Sequence, residues 1–444
     1  MDSLGALDRA IADAVLGVDT LWGGDVNNPS GTGRFIADAW FSGEPLPPAY
    51  AHPSAQALRA GGGVSAKQID ARAIDAYLQA VDVRGAIAAV AAAAPGISGL
   101  RGRYLAALAD SCLVMWDLAQ ELLDRGDKVP YARAVLASCG VPPSPSQPAA
   151  RRQRVEDLLD TAGYTGDLHA RLDAWRADRR VPKKSIRQLG DAFIAQLEAA
   201  AERHLLPHLP ASLHRVPLAN VRFLPIENAW FSGSMNYLGR ARRADGTPEY
   251  EATYELNAAL EISVPEFVQL VAHEVVPGHV TTFAFLQHLH HLGEVGFEAS
   301  VPTMNTRQAT LSEGIANNAL LMANGVTEIE ELGDSDTELG LLLALLQDDA
   351  KNQASWLTWQ EGWPQDEVRP VLRRDYLVSE ERADKLSGAW GRHPLLGRMY
   401  LPCYRAGTEK VAALRRRVPP EKLLPALYGC RGLVDIVTID DVLG

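Results

Sequence analysis

Cysteine is scarce: four residues in 444, Cys112, Cys139, Cys403 and Cys430, widely spaced and without a Cys-x-x-Cys pair. That excludes a Cys-ligated zinc module and a disulfide framework, and fits reduced thiols in a cytoplasm. Positive charge is not in excess. Lys and Arg number 43 against 55 Asp and Glu, a net charge of −12, which argues against nucleic acid or an anionic membrane as partner. No long apolar run is present. The longest, around Gly85 to Leu100, is mostly alanine and broken by Pro95, too weak for a membrane span. Asp2, Asp8 and Asp13 stand where a signal peptide would carry basic residues, so a cytoplasmic protein is expected. Two catalytic signatures are also missing. Gly61-Gly62-Gly63 has no following Lys-Ser/Thr for a phosphate loop, and no G-x-S-x-G elbow occurs.

What is present is hydrophobic content of 47%, enough for a large core in one domain or two lobes. Residues 4–22 have helical spacing. A Gly- and Pro-punctuated segment follows from Asn27 to Gly63, then three or four helices from Ser65 to Ala137 with a break at Pro95-Gly96. Gly140 to Pro148 is the clearest linker. The expected organisation is an N-terminal helical lobe over 1–140, a Pro-rich linker over 141–150, and a catalytic region over 151–444. The alternative is one continuous domain. Short strands are expected at Val221–Pro225, Ser234–Leu238 and Tyr250–Asn257, immediately before a helix opened by the capping box Ser263-Val264-Pro265-Glu266. The fold class is therefore mainly α, with a small β element preceding the helix that matters most.

That helix carries His273-Glu274-Val275-Val276-Pro277-Gly278-His279. A His-Glu pair followed by a second His is how a helix offers two imidazoles to zinc, with the Glu free to act as a base. The second His comes at i+6. Six residues turn a regular helix through about 240°, so the two rings would not share a face. Pro277-Gly278 removes the objection, because it stops the helix there and lets a turn swing His279 back. A third protein ligand is then required. Glu313, in Ser312-Glu313-Gly314, is read as a first-turn residue of a helix starting at Thr310; it is either that ligand or a carboxylate complementing the helix dipole. His288, His290 and His291 have no nearby carboxylate motif and are expected at the surface.

His273-Glu274-x-x-Pro277-Gly278-His279 followed by Glu313-Gly314 resembles the DUF885 family of bacterial proteins, whose motifs run H-E-x-x-P-G-H and then E-G-W-A. Tyr404-Arg405-Ala406-Gly407 resembles the second half of the family's Gln-Ala-x-x-Tyr-Lys-x-Gly element, with Arg in place of Lys. The resemblance covers residues 220 to 410. Ile315, Asn318 and Tyr400 depart from it, standing where Trp, Tyr and Gln are usual. It implies a helical, zincin-like metallohydrolase with a deep cleft, similar in shape to oligopeptidases and carboxypeptidase Taq. His273, His279 and Glu313 would then be ligands to one Zn2+, and Glu274 the base. For the oxyanion donor the candidate is Tyr404, with Tyr400 and His393 behind it. Arg405 is a candidate for a substrate carboxylate, or for a surface ion pair. Tyr254 lies in a strand that either runs along the cleft and binds an extended substrate or is purely structural. The expected partner is a small-molecule or peptide substrate, and the reaction hydrolysis of a peptide or other amide bond. The alternatives are a specialised biosynthetic step on a small non-peptide substrate, or a metal-binding scaffold without catalysis.

Overall fold

A computed structural model describes residues 4–24, 33–226, 233–257 and 261–444. The start of the expected Asn27–Gly63 loop lies outside the described residues. Its remainder is mostly short helices, Gly33–Ala39, Pro48–Ala51 and Pro53–Gly61. The molecule is mainly α-helical with one small sheet. The alanine-rich stretch forms four helices, Ala71–Ala80, Val83–Ala93, Gly99–Leu122 and Tyr131–Cys139, with the break at Pro95-Gly96.

The sheet has three strands, β1 (Val221–Ile226), β2 (Gly233–Tyr237) and β3 (Ala252–Asn257), in the order β1-β3-β2. β3 runs parallel to β1 and antiparallel to β2. Under the sheet, Phe223 meets Tyr254 edge-on, and Phe267 meets Phe193 of the helix Ile186–His204. Burial of these rings fixes the sheet against the helix that carries the motif.

One apolar cluster runs through the molecule, containing Ile11 and Leu16 near one end of the chain and Leu427 and Ile439 near the other. The Pro-rich segment is tied down along its length. Ser146 N–H donates to Gln353 Oε1 at 2.9 Å, Ser146 Oγ to the Asp349 carbonyl at 2.9 Å, and Asn352 Nδ2 to the Ser144 carbonyl at 2.9 Å. Among the described residues, no single helix is long and apolar enough to cross a membrane. All four cysteines are free thiols, and Cys139 and Cys403, far apart in sequence, bring their buried sulfurs to 3.8 Å.

Candidate metal centre

The motif helix spans Val264–Glu274. Ser263 Oγ accepts from the Glu266 N–H at 3.4 Å, the Glu266 carboxylate accepts the Ser263 hydroxyl at 2.7 Å, and Pro265 sits in the first turn. The helix stops at Val275, and the Val276–Pro277 peptide is cis. Gly278 passes so close to the helix end that a Cβ there would lie 1.8 Å from the His273 carbonyl oxygen, so only glycine fits. The Tyr428 hydroxyl holds the turn by donating to the Pro277 carbonyl at 2.8 Å. His279 then opens the following helix, His279–His291. The turn expected at Pro277-Gly278 is there and swings His279 back, and His279 is also the first residue of a new helix. The outcome is the expected one, two rings edge-on with centroids 4.8 Å apart.

Glu313 comes from the helix Arg307–Asn317. It is not a first-turn residue as expected. Thr306 caps the helix by accepting the Ala309 N–H, so the helix begins three residues earlier and Glu313 falls in its second turn. A dipole role is weaker there. Glu313 Oε2 lies 3.5 Å from His273 Nε2, and Oε1 lies 3.9 Å from His279 Nε2. Glu274 also brings a carboxylate oxygen within 4.8 Å of both imidazoles. Glu313 is the closer of the two.

The protonation pattern around His273 follows from its partners. Asn317 Nδ2 donates to Asp348 Oδ2 at 2.7 Å and to Thr408 Oγ1 at 2.8 Å, which fixes its amide. Its carbonyl oxygen must then accept from His273 Nδ1, 2.8 Å away. Burial, the neighbouring His279 and the charge of Lys351 hold the His273 pKa well below the ordinary histidine range, and burial lowers that of His279. A neutral ring with its proton on Nδ1 turns a bare Nε2 lone pair towards Glu313. Glu313 Oε2 is buried and has no hydrogen-bond partner among the described residues, while Oε1 accepts the Tyr400 hydroxyl at 2.5 Å. Two acceptors facing each other with no proton between them are repulsive unless a cation lies there. Tetrahedral zinc with bonds of about 2.0–2.2 Å wants its ligand atoms about 3.3–3.6 Å apart; the 3.5 Å spacing to His273 falls in that range and the 3.9 Å spacing to His279 lies a little beyond it. The residues present fit the metal.

This cluster opens into a cavity of about 850 Å³. Its wall includes the β2 residues Gly233, Ser234 and Met235, not β3. β3 is central in the sheet, so both its edges are consumed, whereas β2 keeps one edge unpaired within the sheet. Met235 also gives a backbone hydrogen bond to Glu274. Burial, with the charge of Glu313 nearby, pushes the Glu274 carboxyl up to about 8.

The remaining sequence candidates divide. Tyr404 lines the cavity, as does Tyr400, but the Tyr400 hydroxyl is committed to Glu313. Tyr254 does not face the cleft. It is fully buried beneath Gly233, and its hydroxyl has no partner among the described residues. His393 also lies outside the cavity wall, its Nδ1 accepting the Leu395 and Leu396 N–H groups at 3.2 and 3.1 Å beside the Trp22 ring. Arg405 points away from the cavity and bonds Glu409, the Ser144 and Pro145 carbonyls and, at 3.5 Å, Asp349, so it is a strap on the Pro-rich segment. Of the three later histidines only His291 is exposed; His288 meets the Tyr250 hydroxyl at 2.7 Å.

Sequence reading missed Asn317, Asp348, Lys351 and Arg382. Asn317 sits one turn beyond Glu313 on the same face, which is a usable signal. Asp348 and Lys351 lie on the helix Ser335–Ser355, where nothing in the spacing marks them.

No known family profile and no curated protein matches the chain. Two solved structures share its fold, both described only provisionally as lipoproteins. One, from Colwellia psychrerythraea, has 15% identity and a TM-score of 0.52 over 88% of this chain and 75% of that one. The other, of unknown function and from Shewanella oneidensis, has 13% identity and a TM-score of 0.50 over 89% and 76%. At these identities the likeness is one of fold alone.

Proposed function

We propose that the chain is a zinc-dependent hydrolase that cleaves a peptide or other amide bond. The observation that carries this reading is the buried Glu313 Oε2, without a hydrogen-bond partner among the described residues, facing the bare Nε2 of His273, with His279 Nε2 beside the other oxygen. Two imidazoles and a carboxylate are a donor set that suits zinc and leaves a position open. His273, His279 and Glu313 would hold the ion, as the resemblance to the DUF885 family also implies. When bound, zinc supplies Lewis acidity, polarising a carbonyl and acidifying a water.

Everything else falls to the chain's own side chains. Glu274 receives the proton of the attacking water and returns it to the leaving nitrogen. A carboxyl raised to about 8 is a base near neutrality only when positive charge nearby draws it down, so it is matched to a loaded site. Burial keeps the Tyr404 phenol protonated, and its place on the cavity wall lets it donate to the developing oxyanion. Tyr400 and Asn317 hold Glu313 and His273 in position. A cytoplasmic setting belongs to the same reading, supported by four free thiols.

Zinc content and hydrolysis of a peptide library test the proposal, comparing wild type with His273→Ala and Glu313→Ala. Wild type should carry one zinc and cleave; both variants should lose the metal. If both stay folded and keep full zinc, the ligand set is wrong.

A further inference from the structure

Polarity is spread unevenly along the cavity. At the N-terminal end of the motif helix the wall carries ion pairs, Arg176 forked onto Glu266 with contacts from 2.9 to 3.4 Å and Arg180 on Glu261 at 3.0 Å. Past the other end of that helix an apolar stretch of wall follows. Phe283 stands four residues after His279, so the two share a face of one helix. It is half-buried and lines the cavity, while its chain neighbours Thr282 and Ala284 are buried. Its ring lies 5.3 Å from that of Tyr237, which meets Phe41 at 6.2 Å. Met235 shares a face of β2 with Tyr237 and is half-buried too. Phe35, Ile36 and Ala39 extend this stretch from the helix Gly33–Ala39. The charges of that helix are engaged elsewhere. Arg34 bonds Glu255 at 3.3 Å and lies 5.6 Å over the Phe35 ring, and Asp38 accepts Asn236 Nδ2 at 2.9 Å. Neither Arg34 nor Asp38 lines the cavity, and nor do their two partners.

From this we infer that Phe35, Ile36, Ala39, Met235 and Phe283 form a subsite for a bulky apolar side chain of the substrate, flanking the bond that is cut. These five side chains offer no hydrogen-bonding group. A polar or charged side chain placed among them loses its water and gains no partner, whereas an aromatic or branched aliphatic one gains by leaving water. Two rings and an adaptable thioether also suit a flat or irregular apolar group. Continuity fixes the occupant as part of the substrate. The stretch belongs to the cavity that holds the centre, and one helical turn of about 5.4 Å separates Phe283 from His279. The inference deepens the zinc reading and rests on it.

Zinc-loaded protein titrated calorimetrically with uncharged thiol probes tests this. N-(mercaptoacetyl)phenylalanine amide is compared with its glycine and glutamine analogues, and α-mercapto-β-phenylpropanamide with mercaptoacetamide. The first series carries the side chain one residue from the thiol, the second on the thiol-bearing carbon. At least one benzyl probe should bind about 10–100-fold more tightly than the parent without the ring, and the glutamine analogue no better than the glycine one. Phe283→Asn and Phe35→Asn should each erase most of that gain while leaving parent binding unchanged, and Phe283→Leu should retain it. Equal binding of benzyl and parent probes in both series, or a gain untouched in both asparagine variants, overturns the subsite. Zinc content of the same samples separates the two readings. Zinc bound without a benzyl preference sinks the subsite alone, and zinc absent sinks the metal centre with it.

Discussion

Gly314 and Gly407 lie backbone against backbone: a Cβ on Gly314 would come within 2.3 Å of the Gly407 carbonyl oxygen. This crossing joins the Glu313 helix to the helix Leu401–Arg417, and so sets Glu313 beside Tyr400 and Tyr404. A Cβ on Gly407 would come within 2.0 Å of the Thr310 carbonyl. Gly407→Ala must therefore push the helices apart. It should cost about 1–3 kcal/mol in stability and weaken zinc binding, as read by thermal unfolding and chelator competition. A variant with unchanged zinc affinity would show that the crossing does not set the ligand geometry.

Glu274→Gln should keep its zinc and lose turnover by about 10²–10⁴-fold. Metal content and hydrolysis rate measured on the same samples decide it. Activity within a fewfold of wild type would hand the proton to another group.

Asn317 and Tyr404 should separate binding from turnover. Asn317→Ala removes the acceptor that fixes the His273 tautomer, and should lower zinc affinity by about 10–100-fold. Tyr404→Phe should leave zinc affinity alone and slow hydrolysis. Reversed effects would exchange the two roles.

Arg405→Ala should leave zinc and turnover unchanged. Its bonds to Ser144, Pro145 and Glu409 are structural, and their partly exposed setting makes the loss about 1 kcal/mol, visible in denaturant melts. A collapse in turnover would return Arg405 to the substrate.

His393 gives stability a pH dependence. Burial, in a site where Nδ1 accepts two backbone N–H groups, depresses its pKa to about 4 from an ordinary 6.5 by desolvating the charged ring. The unfolded chain therefore binds the proton first as pH falls. The contribution is complete above pH 6.5 and lost progressively down to about 4, worth about 3 kcal/mol at most. The unfolding free energy of wild type should drop more steeply over that window than that of His393→Gln. Parallel curves would mean His393 titrates normally.

Local rules were readable where backbone chemistry is decisive. Pro277-Gly278 announced the break, Ser263 the cap, and the short runs Val221–Pro225, Ser234–Leu238 and Tyr250–Asn257 the strands. Side-chain roles were legible only along one helix face. Tyr400 and Tyr404, four apart, share a face, whereas Arg405 is turned about 100° from Tyr404, which is why it straps the Pro-rich segment instead of meeting substrate. Tyr254 was misplaced because strand order cannot be read from alternation; a central strand and an edge strand have the same period. Asn317, Asp348 and Lys351 stayed hidden because their partners come from other helices, and no local pattern encodes a long-range hydrogen bond.

The Asn317 junction bears on the order in which the molecule is assembled. It links His273, 44 residues before it, to Thr408, 91 residues after it. The proposed ligand set is therefore complete in position only once the C-terminal third has docked. An ion arriving earlier would find flexible imidazoles and no preorganised carboxylate. On the proposed reading zinc acts as a late latch on a finished scaffold, so stripping it with a chelator should leave the tertiary structure standing.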